Sequence, residues 1–287
     1  KPDAHKVKER ISDLLTAIGF HEALCNSLTK SSYTDGLDGF NKDAQVVLMN
    51  PLSQDLNAMR QTLLFGGLES LAYNINRKVS DVLLYEFGNT YNKYGDEFVE
   101  AHRLALWMTG VKQEENWNVT ASKVDFFYMK GVVEKVLQRL GLHQGVSSSK
   151  IQSDLLSEGL LYKIRKKKVI EFGAVRKSIL KKFGIKQEVM YADFNWDLIM
   201  TMLKDQKIKY KEVSKFPSVR RDLALLVDKQ ITFAEIESMA FQCDKNLLKK
   251  VSLFDVYEGD KLPADKKSYA LSFIFSDEGQ TLTDKVV

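Results

Sequence analysis

The 287-residue sequence predicts an α+β protein in two parts, and three observations carry that expectation. From residue 1 to 205, amphipathic helices alternate with short strands, the pattern of a mixed antiparallel sheet flanked by helices. From 206 to 287 the order becomes strand, helix, strand, strand, and the strands alternate apolar and polar residues. Composition is 44% hydrophobic and 28% charged, which allows a core to form without disulfides or a structural metal.

In chain order, Val7, Ile11, Leu14, Leu15 and Ile18 form one apolar stripe, and Gly19 stops that helix. Phe20 to Leu28 reads as a strand. Gly36 and Gly39 sit in a polar loop around Asp35 and Asp38, and Gly66-Gly67 reads as a helix break. Asp125 opens a helix whose Val133, Val136, Leu137 and Leu140 fall at core spacing. Ser147-Ser148-Ser149 follows Gly145 and reads as a linker. Val175, Ile179 and Phe183 have helical spacing, which turns Lys177 and Lys181 outward. Asp222 to Val227 is predicted as a strand, Thr232 to Cys243 as a helix, Leu247 to Tyr257 mostly as a strand, and Ser268 to Phe275 as another.

Alternation assigns the two faces of the last three strands. Leu223, Leu225 and Val227, Phe254 and Val256, and Tyr269, Leu271, Phe273 and Phe275 make an apolar face that a helix must cover. Asp222, Ala224, Asp255, Tyr257, Ser268, Ala270 and Ser272 point the other way. An aromatic ring among acceptors, hydroxyls and small side chains suits the stacking and edge-reading of unpaired bases.

Charge points elsewhere. Net charge is +4, yet from Val213 onward 9 Lys and 2 Arg face 8 Asp and 4 Glu, a net −1. Lys163 to Lys182 carries 9 basic residues against the single acid Glu171. That run is either a phosphate-backbone footprint or a solvated helix face. Cys25 and Cys243 are too few and too far apart for a disulfide framework or a zinc site, and the four histidines show no ligand spacing. No apolar run approaches the ~20 residues of a membrane span, and Lys1-Pro2-Asp3 does not begin a signal peptide. A cytoplasmic protein is expected.

Separate blocks also carry a resemblance. Phe216-Pro217-Ser218-Val219-Arg220-Arg221-Asp222-Leu223-Ala224, then Leu253-Phe254-Asp255-Val256-Tyr257, Lys267-Ser268 and Thr281-Leu282-Thr283-Asp284 resemble the ferredoxin-fold anticodon-binding domain. That domain closes the beta subunit of bacterial phenylalanyl-tRNA synthetase. Upstream, the helix, Gly19-Phe20 and the strand after it resemble motif 1 of class II synthetases. Asn50-Pro51-Leu52-Ser53, Met59 to Leu64 and Asn74-Ile75-Asn76-Arg77 resemble the signature of the same subunit's catalytic-like domain. Asp81 to Gly88 resembles its next strand. The resemblance implies a class II synthetase-like sheet followed by a ferredoxin-like unit.

It also implies roles. Where active class II enzymes place the arginine and acid of motif 2, this chain has Asn92-Lys93-Tyr94, and Asn92 lacks the charged fork that grips a phosphate. The nearest likeness to motif 3, Ile170 to Arg176, has a single glycine. No catalytic residue and no metal ligand is therefore expected in this chain. ATP and magnesium would serve the complete enzyme, an α2β2 heterotetramer whose alpha subunit performs the chemistry. The partners implied are that alpha subunit and tRNA(Phe). The family's anticodon-contacting positions match Ala224, Asp255, Tyr257 and Ser268, with phosphate contacts possible at Lys177, Lys181, Arg220 and Arg221. A ferredoxin-like unit needs strand, helix, strand, strand, helix, strand. Thr283 to Val287 starts a helix that stops within one turn, so a truncated domain with Asp222 to Val227 at a sheet edge is expected. The alternative is a synthetase-derived interaction module outside a ligase complex.

Overall fold

The computed structural model describes residues 3–206, 210 and 212–283. The chain divides into two compact units, Lys1–Lys207 and Ile208–Val287. The helix start expected from Thr283 to Val287 lies, from Asp284 onward, outside the described residues.

The first unit contains α1 (Ala4–Ala17), β1 (His21–Glu22), β2 (Leu28–Thr29), β3 (Ala58–Met59), α2 (Leu64–Ile75), β4 (Val82–Tyr94), β5 (Glu97–Thr109) and β6 (Val111–Gln113). It continues with β7 (Ser122–Lys123), α3 (Phe126–Arg139), β8 (Val146–Lys150), β9 (Leu156–Ile164), β10 (Lys167–Val175), α4 (Lys177–Lys182), β11 (Val189–Asn195) and α5 (Trp196–Lys204). Local chemistry starts these helices. The Asp3 carboxylate accepts from the His5 amide at 3.0 Å, Asp125 from that of Tyr128 at 2.7 Å, and Asn195 from that of Leu198 at 3.0 Å. Each satisfies a donor that the first helical turn leaves unpaired.

Seven strands make one sheet in the order β1-β4-β5-β11-β10-β9-β8, parallel only between β1 and β4. Alternation along β5 divides the core. Leu104, Leu106 and Met108 join residues of α1, α3 and α5, including Ile11, Val133 and Ile199. Ala105 and Trp107 join Leu64 and Leu68 of α2 and Ile179 of α4. Helices thus cover both faces, as the α+β expectation requires.

Four expectations need correction. Phe20 to Leu28 is not one strand: only His21–Glu22 and Leu28–Thr29 pair, and the carbonyls of Cys25 and Asn26 turn to the Arg60 guanidinium instead of a ladder. Gly66 and Gly67 lie inside α2. A side chain at Gly67 would place its Cβ 2.0 Å from the Trp107 ring, so the glycine admits the indole, whose Nε1 donates to the Leu64 carbonyl at 3.2 Å. Ser147 to Ser149 is a strand, paired with Lys163, Tyr162 and Leu161 at the sheet edge, where solvent exposure permits hydroxyl side chains. Val175 ends strand β10, and α4 is only the six residues from Lys177. The basic run therefore divides between the β9–β10 hairpin, with Arg165 and Lys166 at positive φ in its turn, and α4.

The second unit contains β12 (Val219–Asp228), α6 (Phe233–Cys243), β13 (Leu248–Tyr257) and β14 (Lys266–Phe275). Thr232 and Glu235 form a capping box at the start of α6. The sheet order is β12-β14-β13, all antiparallel, and among the described residues β12 pairs on one side only. Leu271 is fully buried, Val251 and Tyr269 nearly so, and the Tyr269 hydroxyl donates to the Ile231 carbonyl just before α6. Towards the margins the same face opens: Leu223 is 50% exposed and Val256 47%.

Candidate nucleic-acid interface

The face of the second sheet opposite Leu223, Tyr269 and Leu271 is built from registered rows. Ala224 stands opposite Ala270, which stands opposite Asp255. The next row is Leu226, Ser268 and Tyr257. All four residues assigned by resemblance, Ala224, Asp255, Tyr257 and Ser268, therefore occupy two neighbouring rows of one face. Tyr257 is 43% exposed. A Cβ on Gly259 would fall 2.5 Å from the Tyr257 hydroxyl, so glycine lets the phenol lie against the following loop.

The composition of this face differs from the sequence expectation in two ways. Leu226 belongs to it and is 56% exposed. Phe254 belongs to it as well, and not to the face opposite. The β13–β14 register shifts between Leu253 and Asp255, leaving Phe254 as the unpaired residue of a bulge. Its ring centre lies 5.5 Å from the guanidinium carbon of Arg220, and Arg220 shares its face with Asp222 through a two-point ion pair at 2.7 and 3.1 Å. Simple alternation breaks at a bulge because the extra residue resets the side-chain phase.

Of the expected phosphate contacts, Arg220 and Arg221 do not share a face. Arg220 pairs with Ile274 and Arg221 with Phe273, so successive side chains take opposite faces, and Asp222 already occupies the Arg220 fork. Lys177 and Lys181 belong to α4 of the first unit and are exposed. Lys177 borders a cavity of about 350 Å³ whose wall also carries Glu158, Glu188 and Lys186, a mixed lining without anion preference.

Within the first unit, the position compared with the motif 2 arginine is tied up in a structural bond, and the polar residues near it are internal. Asn92 Oδ1 accepts from Gln61 Nε2 at 3.0 Å. Glu86, Ala105 and Asp193 form one row across β4, β5 and β11. Glu86 is held by Arg60 at 2.8 Å, both almost wholly buried, and Asp193 lies 3.7 Å from Arg103. Burial pushes the Asp193 carboxyl up to about 6, with Arg103 opposing and Glu171 adding to the shift. Burial and the Glu86 charge push the Cys25 thiol up to about 12, which leaves it protonated and unreactive. Among the described residues no group of three or more His, Cys, Asp or Glu is arranged to hold a metal ion, and no helix is long and apolar enough to cross a membrane. These residues do not fit a triphosphate and its metal: the arginine fork is missing at Asn92, and the buried Glu86 is already engaged by Arg60.

Residues 1–196 match the family described as the phenylalanyl tRNA synthetase beta chain CLM domain, and residues 214–287 match the ferredoxin-fold anticodon binding domain. The phenylalanine–tRNA ligase beta subunit of Bacteroides fragilis is 44% identical over 295 residues, covering 99% of this chain and 36% of the relative. That of Bacteroides thetaiotaomicron is 45% identical with the same coverage. That of Carboxydothermus hydrogenoformans is 32% identical over 284 residues, covering 97% of this chain and 35% of the relative. The chain thus spans about a third of the length of these relatives. A crystal structure of pyrrolysyl-tRNA synthetase from Desulfitobacterium hafniense superposes with a TM-score of 0.55 at 14% identity, over 71% of each chain, and so shares the fold alone. On the family matches along both units, this chain belongs to the phenylalanyl-tRNA synthetase beta-chain family.

Proposed function

We propose that this chain is the part of a phenylalanine–tRNA ligase beta subunit that places tRNA(Phe) and supports assembly with the alpha subunit, in an α2β2 enzyme of the cytoplasm. In this reading the chain itself is not catalytic. ATP and magnesium act at the alpha subunit, where phenylalanine is activated and transferred. The first unit keeps a synthetase-like sheet whose polar centre has become an internal ion-pair set. The second unit presents the bases of the anticodon with a surface of mixed chemistry: Tyr257 stacks, Asp255 and Ser268 read edges, and Ala224 leaves room. Missing phosphate charge on that face is supplied by other parts of the complex, Lys177 and Lys181 among the candidates.

The observation that carries the reading is the two-row register. Four residues from three strands, far apart in sequence, converge on one uncovered face of an anticodon-binding fold. Steady-state aminoacylation by the intact alpha–beta enzyme tests it. Tyr257→Ala should raise KM for tRNA by about five- to a hundredfold, the equivalent of ~1 to 3 kcal/mol for one stacked base, with the rate of phenylalanine activation unchanged. An unchanged KM would remove the assignment, and a lost activation rate would place Tyr257 in assembly instead.

A further inference from the structure

We propose that Phe254 is a second base-stacking side chain of the open face, so that the sheet engages two unpaired RNA bases and not one. The proposal rests on the reading of that face as an RNA interface. It is drawn from the bulge and from what the bulge does to one large apolar residue.

In unbroken alternation with Val256, Phe254 would take the apolar face. The register shift resets the phase and leaves Phe254 on the open face with Asp255. Bulges re-aim side chains, and they cost a paired position, so a bulge that turns a phenylalanine towards solvent is unfavourable for folding alone. The ring is 56% exposed. It is also positioned: the Arg220 guanidinium stands 5.5 Å from its centre, and Asp222 fixes that guanidinium with two hydrogen bonds. Ser272, on the middle strand between Arg220 and Phe254, is only 7% exposed. A held, exposed ring beside a cation is the arrangement that takes a nucleobase, whichever base it is, because every base offers a π-face.

Spacing fits two bases. Phe254 adjoins Asp255, in the row of Ala270 and Ala224, while Tyr257 lies in the following row with Ser268. At about 3.3 Å per residue the two rings are separated by roughly 7 to 10 Å along the strand. Asp255 sits between them, placed to accept from an edge of either base. Arg220 acts here as a positioning residue, and its fork is satisfied by Asp222.

The intact alpha–beta enzyme, with tRNA(Phe) carrying 2-aminopurine in turn at each anticodon-loop position, provides the test, because stacking quenches that fluorophore. Wild type should quench at two positions. Phe254→Leu, which keeps apolar bulk but no aromatic face, should restore fluorescence at one and weaken binding by about five- to a hundredfold. Tyr257→Ala should restore it at the other, and Phe254→Tyr should behave as wild type. If Phe254→Leu leaves quenching and affinity intact while Tyr257→Ala does not, the second platform is wrong and the first stands. If neither variant changes anything, the reading of the face fails. If Phe254→Leu abolishes quenching at both positions, Phe254 is a folding residue and the proposal falls.

Discussion

The seven-stranded sheet and the three-stranded sheet meet solvent in opposite ways. In the first unit helices cover both faces, and two carboxylates of the sheet turn inward, Glu86 buried against Arg60 and Asp193 part-buried 3.7 Å from Arg103. In the second, among the described residues, one face has a single helix that contributes no fully buried residue, and the other face has side chains of mixed polarity in contact with water. The contrast separates two uses of a sheet. Burial on both sides fixes a scaffold, whereas a face left open keeps aromatic and acidic groups available for a partner. The same polar residue types accordingly take different places: Glu86 is buried in an ion pair with Arg60, and Asp255 is exposed on the face proposed to read the anticodon.

Substitutions can break or sharpen that contrast. The largest effect is expected from Arg60→Ala, which leaves Glu86 buried and unpaired. The first unit should lose about 3 to 5 kcal/mol, read from its denaturant midpoint, and a shift under 1 kcal/mol would show that Glu86 reaches solvent. Next, Leu271→Ala in the second unit should cost about 2 to 4 kcal/mol, because Leu271 is wholly buried. The half-exposed Leu223→Ala on the same face should stay within about 0.5 kcal/mol. Equal losses at the two positions would mean that the margin of this face is covered.

A further effect, smaller than the losses expected at Arg60 and Leu271, is one of pH. Asp193 has its carboxyl raised from 3.8 to about 6. The folded state therefore binds the proton more tightly than the unfolded one. This contribution is complete below pH 4 and is lost as pH rises through 6. Asp193→Asn removes the titration, so its unfolding free energy should fall less steeply than wild type between pH 4 and 6, by up to about 2 kcal/mol across the window. Parallel profiles would show that Asp193 is ionised throughout, held by Arg103.

Much of this was legible in local sequence. The helices from Ala4 and Phe126 followed from their apolar stripes, and α6 from the stripe between Thr232 and Cys243. The strands of the second unit followed from period-two alternation, which also brought Ala224, Asp255, Tyr257 and Ser268 to one face. Those signals survive in one dimension because a helix or strand repeats its geometry every few residues. What the tertiary structure alone decided are contacts between residues far apart in the chain. Gly67 reads as a break until the Trp107 indole lies against it, 40 residues away in sequence. Ser147 to Ser149 reads as a linker until β9 pairs with it. Phe254 reads as core by parity, and only the shifted register against β14 turns it outward beside Arg220. Periodicity records which way a side chain points relative to its neighbours; pairing with another strand determines where that phase is reset, and no residue type at the bulge announces it.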